Sequence, residues 1–236
     1  MTSVTLSLHG TPVSNYFNIV RAALIEKSLP YTLVLKRASQ DEKFLDKSPM
    51  GKIPLLHSPD GWISETVAII EYLDDRFPEQ PLRPADALSR ARVRQIINLT
   101  QMYIEAPTRS LFTGVFAAGK LDSERVSSVD VILLRAAPAL KRLVRSSTFL
   151  VGEALTTADL FVFYNLDIAE RVCEFVFGRS IIADAGLKEW SERIAKRASS
   201  KTILADFDIA FVAYLNDHQA PYRPTIYPET GKLRYA

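Results

Sequence analysis

The residues best suited to chemistry lie between Ser48 and Tyr72. Pro54 has no N–H to give to a ladder, yet it opens the apolar run Pro54-Leu55-Leu56, which reads as a strand. Proline suits the first position of a strand. An X-Pro bond there can be cis, which turns the chain and frees the backbone groups of the residue before it. Ile53 is therefore expected to offer its N–H and C=O to an extended peptide. About ten residues later Ser64-Glu65-Thr66 precedes the periodic run Val67, Ile70, Tyr72, Leu73, a helix start with Ser64 or Glu65 near the cap. Open N–H groups at a helix start attract a carboxylate, and the Glu65 carboxylate beside them attracts an ammonium. A peptide-pairing edge, an anion site and a cation site together describe a pocket for a small zwitterionic peptide.

The elements that must carry these residues follow from periodicity. Val4, Leu6 and Leu8 alternate with Thr5, Ser7 and His9, a half-buried strand ended by Gly10-Thr11-Pro12. A helix starts at Ser14 or Asn15, buries Phe17, Val20 and Leu24, and ends near Lys27-Ser28, with Pro30 as a stop. Tyr31 to Leu35 is a second strand, so strand, helix and strand imply a parallel pair with a crossover helix. Ser39 to Lys47 reads as a short helix or loop. Leu55-Leu56 and Trp62-Ile63 flank Pro59-Asp60-Gly61 and form a hairpin. The helix from Glu65 to Arg76 closes a thioredoxin-like unit over residues 1–80.

The proline-rich run from Phe77 to Pro84 breaks the pattern, and residues 81–87 form the expected linker. Residues 88–236 read as an all-α bundle with an irregular tail. One helical stretch runs from Ala87 to about Ala118, with a kink or break at Pro107 and with Tyr103, Phe112 and Phe116 in the core. The next, Ser123 to about Ser146, contains Pro138 and buries Val126, Val129, Leu133, Leu140 and Val144. Thr156 and Asp159 fit a capping box, with Leu155 and Leu160 as its staple. The helix behind them, Ala158 to about Cys173, is apolar on nearly every face, as a central helix is. Leu187–Ala198 and Thr202–Leu215 follow, and from Asn216 the prolines predict an irregular tail.

Composition sets bounds. The chain has 236 residues, 47% hydrophobic and 24% charged, with a net charge of +2 and no block of like charges, so nucleic-acid binding is not expected. One cysteine, Cys173, rules out an internal disulfide and a Cys-x-x-Cys motif. Three scattered histidines make no metal site. The first residues lack the pattern of a signal peptide, and no apolar run reaches membrane-spanning length, so a cytoplasmic protein without membrane contact is expected.

The whole chain resembles the cytosolic glutathione transferases. Ser48-Pro49-Met50-Gly51-Lys52-Ile53-Pro54 is similar to the family's Asn-Pro-x-Gly-x-Val/Ile-Pro, with Ser for Asn. Glu65-Thr66 and Ala68-Ile69-Ile70-Glu71-Tyr72-Leu73 resemble its Glu-Ser-x-Ala-Ile-x-x-Tyr-Leu, with Thr for Ser. Gly152-Glu153 and Leu155-Thr156-Thr157-Ala158-Asp159 resemble its helix-capping signature. The resemblance implies that glutathione, as substrate and without a further cofactor, is bound as thiolate and attacks a small hydrophobic electrophile. It implies that Ser14, following the first strand, is the catalytic hydroxyl of a serine-type site. Thr11, in a Thr-Pro start shared with some bacterial members, and Asn15 are the alternatives. Glu65 would hold the γ-glutamyl ammonium and Thr66 the γ-glutamyl carboxylate. Ile53, beside Pro54, would pair with the cysteinyl backbone, and Lys52 would reach a peptide carboxylate. Gln40 or Lys36 would meet the glycyl end. The resemblance also implies a homodimer.

Structural roles compete with these. Ser14 is a favoured helix cap, and Thr156 with Asp159 is fully explained as one. Tyr16, Trp62 and Trp190 read as packing residues, and His9 and Cys173 as non-catalytic. Two other functions fit the same scaffold: a glutathione-dependent disulfide or peroxide reductase, suggested by Thr11-Pro12, and a non-catalytic binding protein with a vestigial pocket.

Overall fold

The structure is a computed structural model that describes residues 5–145 and 148–224. Two compact units divide the chain, Met1–Arg83 and Pro84–Ala236.

In the first unit, β1 (Leu6–Gly10) buries Leu6 and Leu8 and turns Ser7 and His9 to the other face. Helix α1 (Asn15–Glu26) follows, then β2 (Tyr31–Leu35), the short α2 (Glu42–Leu45), the hairpin β3 (Leu55–Ser58) and β4 (Gly61–Ser64), and α3 (Thr66–Arg76). The sheet order is β2-β1-β3-β4, with β1 and β2 parallel and the other pairs antiparallel. This is a thioredoxin-like unit. Phe17, Val20 and Leu24 of α1 pack with Leu8, Leu56, Ile69, Ile70 and Leu73 in a core at most 1% exposed. Each such side chain contributes about 1.5–3 kcal/mol by leaving water. Gly10 is part of that packing, because a Cβ there would lie 2.3 Å from the Phe17 ring.

A buried ion pair ties the far ends of the two helices. Lys27, just past α1, donates to Asp74 of α3 at 2.7 Å and to the Gln80 carbonyl at 2.8 Å, while the Leu82 N–H donates to the same Asp74 oxygen at 3.0 Å. The chain leaving the unit is thus anchored to α1 and α3.

The second unit is helical. Helix α4 (Ala87–Thr100) starts on an Asp86 cap and runs into a π-helical turn, Gln101–Glu105. The Ala106 N–H reaches back five residues to the Gln101 carbonyl. α5 (Ala106–Arg109) and α6 (Phe112–Phe116) follow. The expected break therefore precedes Pro107: a proline removes an N–H and crowds the turn before it, and the wider π turn absorbs both. The extra residue shifts the helical phase, and Met102 and Tyr103 become 62% and 52% exposed. Tyr103 is a surface residue, not the core residue its spacing suggested.

α7 (Ser123–Leu143) stays helical through Pro138 and buries Val129, Leu133, Ala136, Ala137 and Leu140. Val126 and Val144, expected inside, are half-buried. The central α8 (Thr157–Phe177) is longer than predicted and ends on Gly178 at φ +64, a left-handed position where glycine carries no Cβ penalty. Asp159 accepts from the Thr156 N–H and hydroxyl, the Leu150 N–H and the Trp190 indole N–H, all between 2.9 and 3.1 Å. α9 (Ile181–Asp184), not anticipated, α10 (Lys188–Ala195) and α11 (Ala198–Asp217) complete the unit. After α11 the chain turns back, and Tyr222 packs edge-on against Phe116. Tyr227 and Pro228 lie outside the described residues. No described helix is long and apolar enough to cross a membrane.

Candidate functional site

Strand register brings the sequence-predicted residues together. His9 of β1 pairs with Leu55 of β3, and Leu55 pairs with Ser64 of β4. The C-terminal end of β1, the N-terminal end of β3 and the C-terminal end of β4 therefore share one edge of the sheet. What lies just beyond those three ends is, in turn, Thr11 to Asn15, Ile53-Pro54, and Glu65-Thr66. The parallel pairing of Gly10 with Leu35 adds the end of β2, and the Lys36 N–H donates to the Gly10 carbonyl at 2.9 Å. Pieces about fifty residues apart in sequence thus converge by topology alone.

Ser14 is the N-cap of α1. Its Oγ accepts the Phe17 N–H at 3.3 Å, and its own N–H closes a turn on the Thr11 carbonyl at 3.0 Å. Capping uses Oγ as acceptor, so the hydroxyl proton remains to be donated, and the N–H behind it polarises the group toward donation. Ser14 and Thr11 are half-buried, whereas Asn15 is 5% exposed. Sequence reasoning missed Asn18: its amide donates to the Pro12 carbonyl at 2.8 Å, holding the loop before Ser14 onto α1. The sequence shows only an asparagine between Phe17 and Ile19, one turn after a candidate helix cap, and does not name its partner.

The Ile53–Pro54 bond is cis, and neither backbone group of Ile53 is paired among the described residues. The preceding loop is held from within. The Ser48 hydroxyl, 1% exposed, accepts the Lys52 N–H at 3.1 Å and donates to the Lys52 carbonyl at 2.9 Å. The serine that departs from the family's asparagine thus has a positioning role here. The Ser39 N–H donates to the Gly51 carbonyl at 3.2 Å and Gln40 lies 3.5 Å from the Met50 carbonyl, so Gln40 and Lys52 belong to one stitched loop pair. Gly51, at φ +64, permits that approach: a Cβ would sit 2.3 Å from the Ser39 carbonyl oxygen. The Gln40 and Lys52 side chains are exposed.

Glu65 is the N-cap residue of α3, but its side chain makes no cap bond. The helix start is uncapped, so its first N–H groups remain available to an anion. Glu65 itself is exposed and sits at φ +68, ψ +119, a conformation that costs a residue with a Cβ roughly 1–3 kcal/mol. Such strain persists where the surroundings impose it, here at the corner between β4 and α3. Thr66, first in the helix, is 5% exposed.

His9 lies on the opposite sheet face, bonded to Ser7 at 3.0 Å and edge-on to Trp62. Burial, then His57, Lys47 and Lys36, lowers its pKa, so it is neutral at pH 7. Trp62 also stacks on His57 and carries the Lys47 ammonium 4.3 Å from its ring centre. Cys173 belongs to the other unit, where burial pushes its thiol up to about 12. Among the described residues no three His, Cys, Asp or Glu side chains are grouped to hold a metal ion.

Comparison with known proteins identifies the family and the fold. The family model of the glutathione S-transferase N-terminal domain matches residues 8–81. A glutathione S-transferase of Pseudomonas putida is 32% identical over 211 residues, 89% of this chain and 96% of the relative. A glutathione S-transferase structure from Rhodospirillum rubrum superposes with a TM-score of 0.70 at 26% identity, covering 84% of this chain and 91% of the other. Rice GST1, solved in complex with glutathione, shares the fold with a TM-score of 0.74 at 21% identity, covering 92% and 99%. By sequence along nearly its whole length, and by fold, the chain belongs to the glutathione S-transferase family of enzymes.

Proposed function

We propose that this enzyme binds glutathione at the shared end of β1, β3 and β4 and directs its thiolate at a small hydrophobic electrophile. The observation that carries the reading is the register His9–Leu55–Ser64, which sets Ser14, Ile53 and Glu65 at one sheet edge. In this reading the cysteinyl backbone pairs with the free groups of Ile53. The γ-glutamyl carboxylate meets the uncapped start of α3 at Thr66, and its ammonium meets Glu65. Lys52 and Gln40 serve the glycyl end.

A free thiol has a pKa near 8.5, so only about 3% is thiolate at pH 7. The Ser14 hydroxyl, donating to the sulfur, and the N-terminus of α1 behind it stabilise the anion and lower that pKa. The thiolate attacks the electrophilic carbon, the carbon–sulfur bond forms, and the displaced group, a halide in an aryl halide, leaves with the electron pair. The relative from Pseudomonas putida supports this reading by its name. The reading extends to a homodimer, which sedimentation at micromolar concentration tests.

The decisive experiment is conjugation of an aryl halide by Ser14→Ala. The expected result is a fall in kcat of about 100-fold, the scale of losing one donor to a developing anion, with glutathione affinity changed only a few-fold. Full activity in Ser14→Ala moves the assignment to Thr11 or Asn15, which the corresponding alanine variants resolve. Turnover of a disulfide with none of aryl halides selects the reductase reading, and no calorimetric binding at millimolar glutathione selects a binding protein with a vestigial pocket.

A further inference from the structure

Residues 39–52 form a lobe that is stitched to itself and not to the sheet. The Ser39 N–H donates to the Gly51 carbonyl at 3.2 Å. The Lys47 and Ser48 N–H groups donate to the Phe44 carbonyl at 3.0 and 2.9 Å, and the Ser48 hydroxyl holds Lys52. Among the described residues, every hydrogen bond of this segment stays inside it. Phe44 is the one large apolar side chain that the segment buries. Apolar burial is non-directional. It holds the lobe against the unit without fixing its angle.

One directional contact crosses to the sheet. The Lys47 ammonium lies 4.3 Å from the centre of the Trp62 ring. Trp62 is itself braced. Ser7 of β1 pairs with His57 of β3, and His57 with Trp62 of β4, so the three share the sheet face away from α1 and α3. His57 stacks on the indole at 4.4 Å, and His9 meets it edge-on at 4.9 Å. Lys47 is exposed and has no carboxylate partner among the described residues. The attraction of an indole face for a cation accounts for its position.

We propose that Trp62 is a positioning residue for glutathione: through Lys47 it sets the angle of the 39–52 lobe and so places Gln40 and Lys52 for the glycyl end. This rests on the glutathione reading above and adds to it a residue that touches no part of the peptide. A lobe held at the wrong angle lowers the apparent affinity by the fraction of molecules so held. Ile53 follows the lobe at the start of β3, and Glu65 and Thr66 follow β4, so the cysteinyl and γ-glutamyl parts do not depend on the clamp.

Calorimetric titration with two peptides tests this: glutathione, and γ-glutamylcysteine, which lacks the glycyl residue. Lys47→Met, which keeps the apolar stem, and Trp62→Leu each weaken glutathione about fourfold, the scale of one exposed cation–π contact. Both leave γ-glutamylcysteine unchanged, and kcat at saturating glutathione holds because the bound peptide restores the lobe. Lys47→Arg, whose guanidinium also stacks on an aromatic face, retains the wild-type affinity. Lys47→Met combined with Trp62→Leu loses no more than either alone, since both remove the same contact. Equal weakening of both peptides overturns the proposal, because it marks general damage to the unit. Additive losses in the double variant overturn it too, because Lys47 then acts on the peptide without Trp62. Unchanged glutathione affinity in either single variant does the same. These outcomes leave the glutathione reading standing, whereas wild-type protein that binds neither peptide overturns that reading and the proposal with it.

Discussion

The side-chain amide of Asn18 donates to the carbonyl oxygen of Pro12 across one turn of α1, at 2.8 Å. Asn18 is 2% exposed, and its Oδ1 has no partner among the described residues, so the residue spends burial on a single bond. That bond sets the path of Thr11-Pro12-Val13 into Ser14. Asn18→Ala should lower kcat for conjugation about tenfold with little change in glutathione affinity, since it displaces the hydroxyl without touching the peptide's contacts. Stability should fall by about 1 kcal/mol, the net worth of one hydrogen bond. Steady-state kinetics paired with calorimetry separates the two effects, and unchanged kcat would show that the loop holds its place without the clamp.

Glu65 combines a carboxylate that is unpaired among the described residues with a strained backbone. Glycine at φ +68 avoids the Cβ penalty but gives up more freedom on folding, and the two effects nearly offset. Glu65→Gly should therefore keep its thermal midpoint or raise it, while glutathione affinity drops at least tenfold through loss of the ammonium's partner. A variant that loses binding only because it unfolds would refute this assignment.

Much of this arrangement is legible in sequence because it is local. The proline before Leu55, the helix start at Glu65-Thr66 and the capping residues Thr156 and Asp159 each depend on neighbours a few positions away. Alternation in β1 and the two-residue turn at Pro59-Asp60 are of the same kind. What escaped depends on distant partners or on phase. Lys27 reads as a solvated helix end until the fold places Asp74, 47 positions on, beside it. Tyr103 reads as core under a 3.6-residue period, which the π turn at Gln101–Glu105 interrupts. The Asn18 clamp needs the loop geometry before it becomes visible.

The Lys27–Asp74 pair is a sharp test of the first unit's packing. Both side chains are at most 2% exposed, and Asp74 also receives the Leu82 N–H. Lys27→Met retains the apolar stem but leaves a buried carboxylate without its counter-charge. Removing one member of such a pair costs about 3–5 kcal/mol. Urea unfolding of the full chain should show a loss of that size, and Lys27→Met with Asp74→Leu should recover most of it. A single variant as stable as the wild type would mean that water reaches the site.

Asp208 on α11 gives the second unit a pH dependence whose sign follows from its surroundings. Burial raises its carboxyl to about 6, opposed by Arg171 at 3.9 Å and reinforced by Asp167, which already pairs with that arginine at 3.2 Å. One guanidinium thus faces two carboxylates. In the unfolded chain Asp208 titrates at its ordinary value, 3.8. Between the two values the folded protein holds the extra proton, so the contribution to stability is complete below about pH 4 and is lost as pH rises through about 6. Asp208→Asn removes this slope and should stabilise the protein at pH 7 by up to about 3 kcal/mol relative to wild type. At pH 4 the two should differ little, because the wild-type carboxyl is then neutral in the folded state. Chemical unfolding of both proteins at the two pH values measures the difference directly. A variant less stable at pH 7 would show that Asp208 completes the charge balance of Arg171 rather than overloading it.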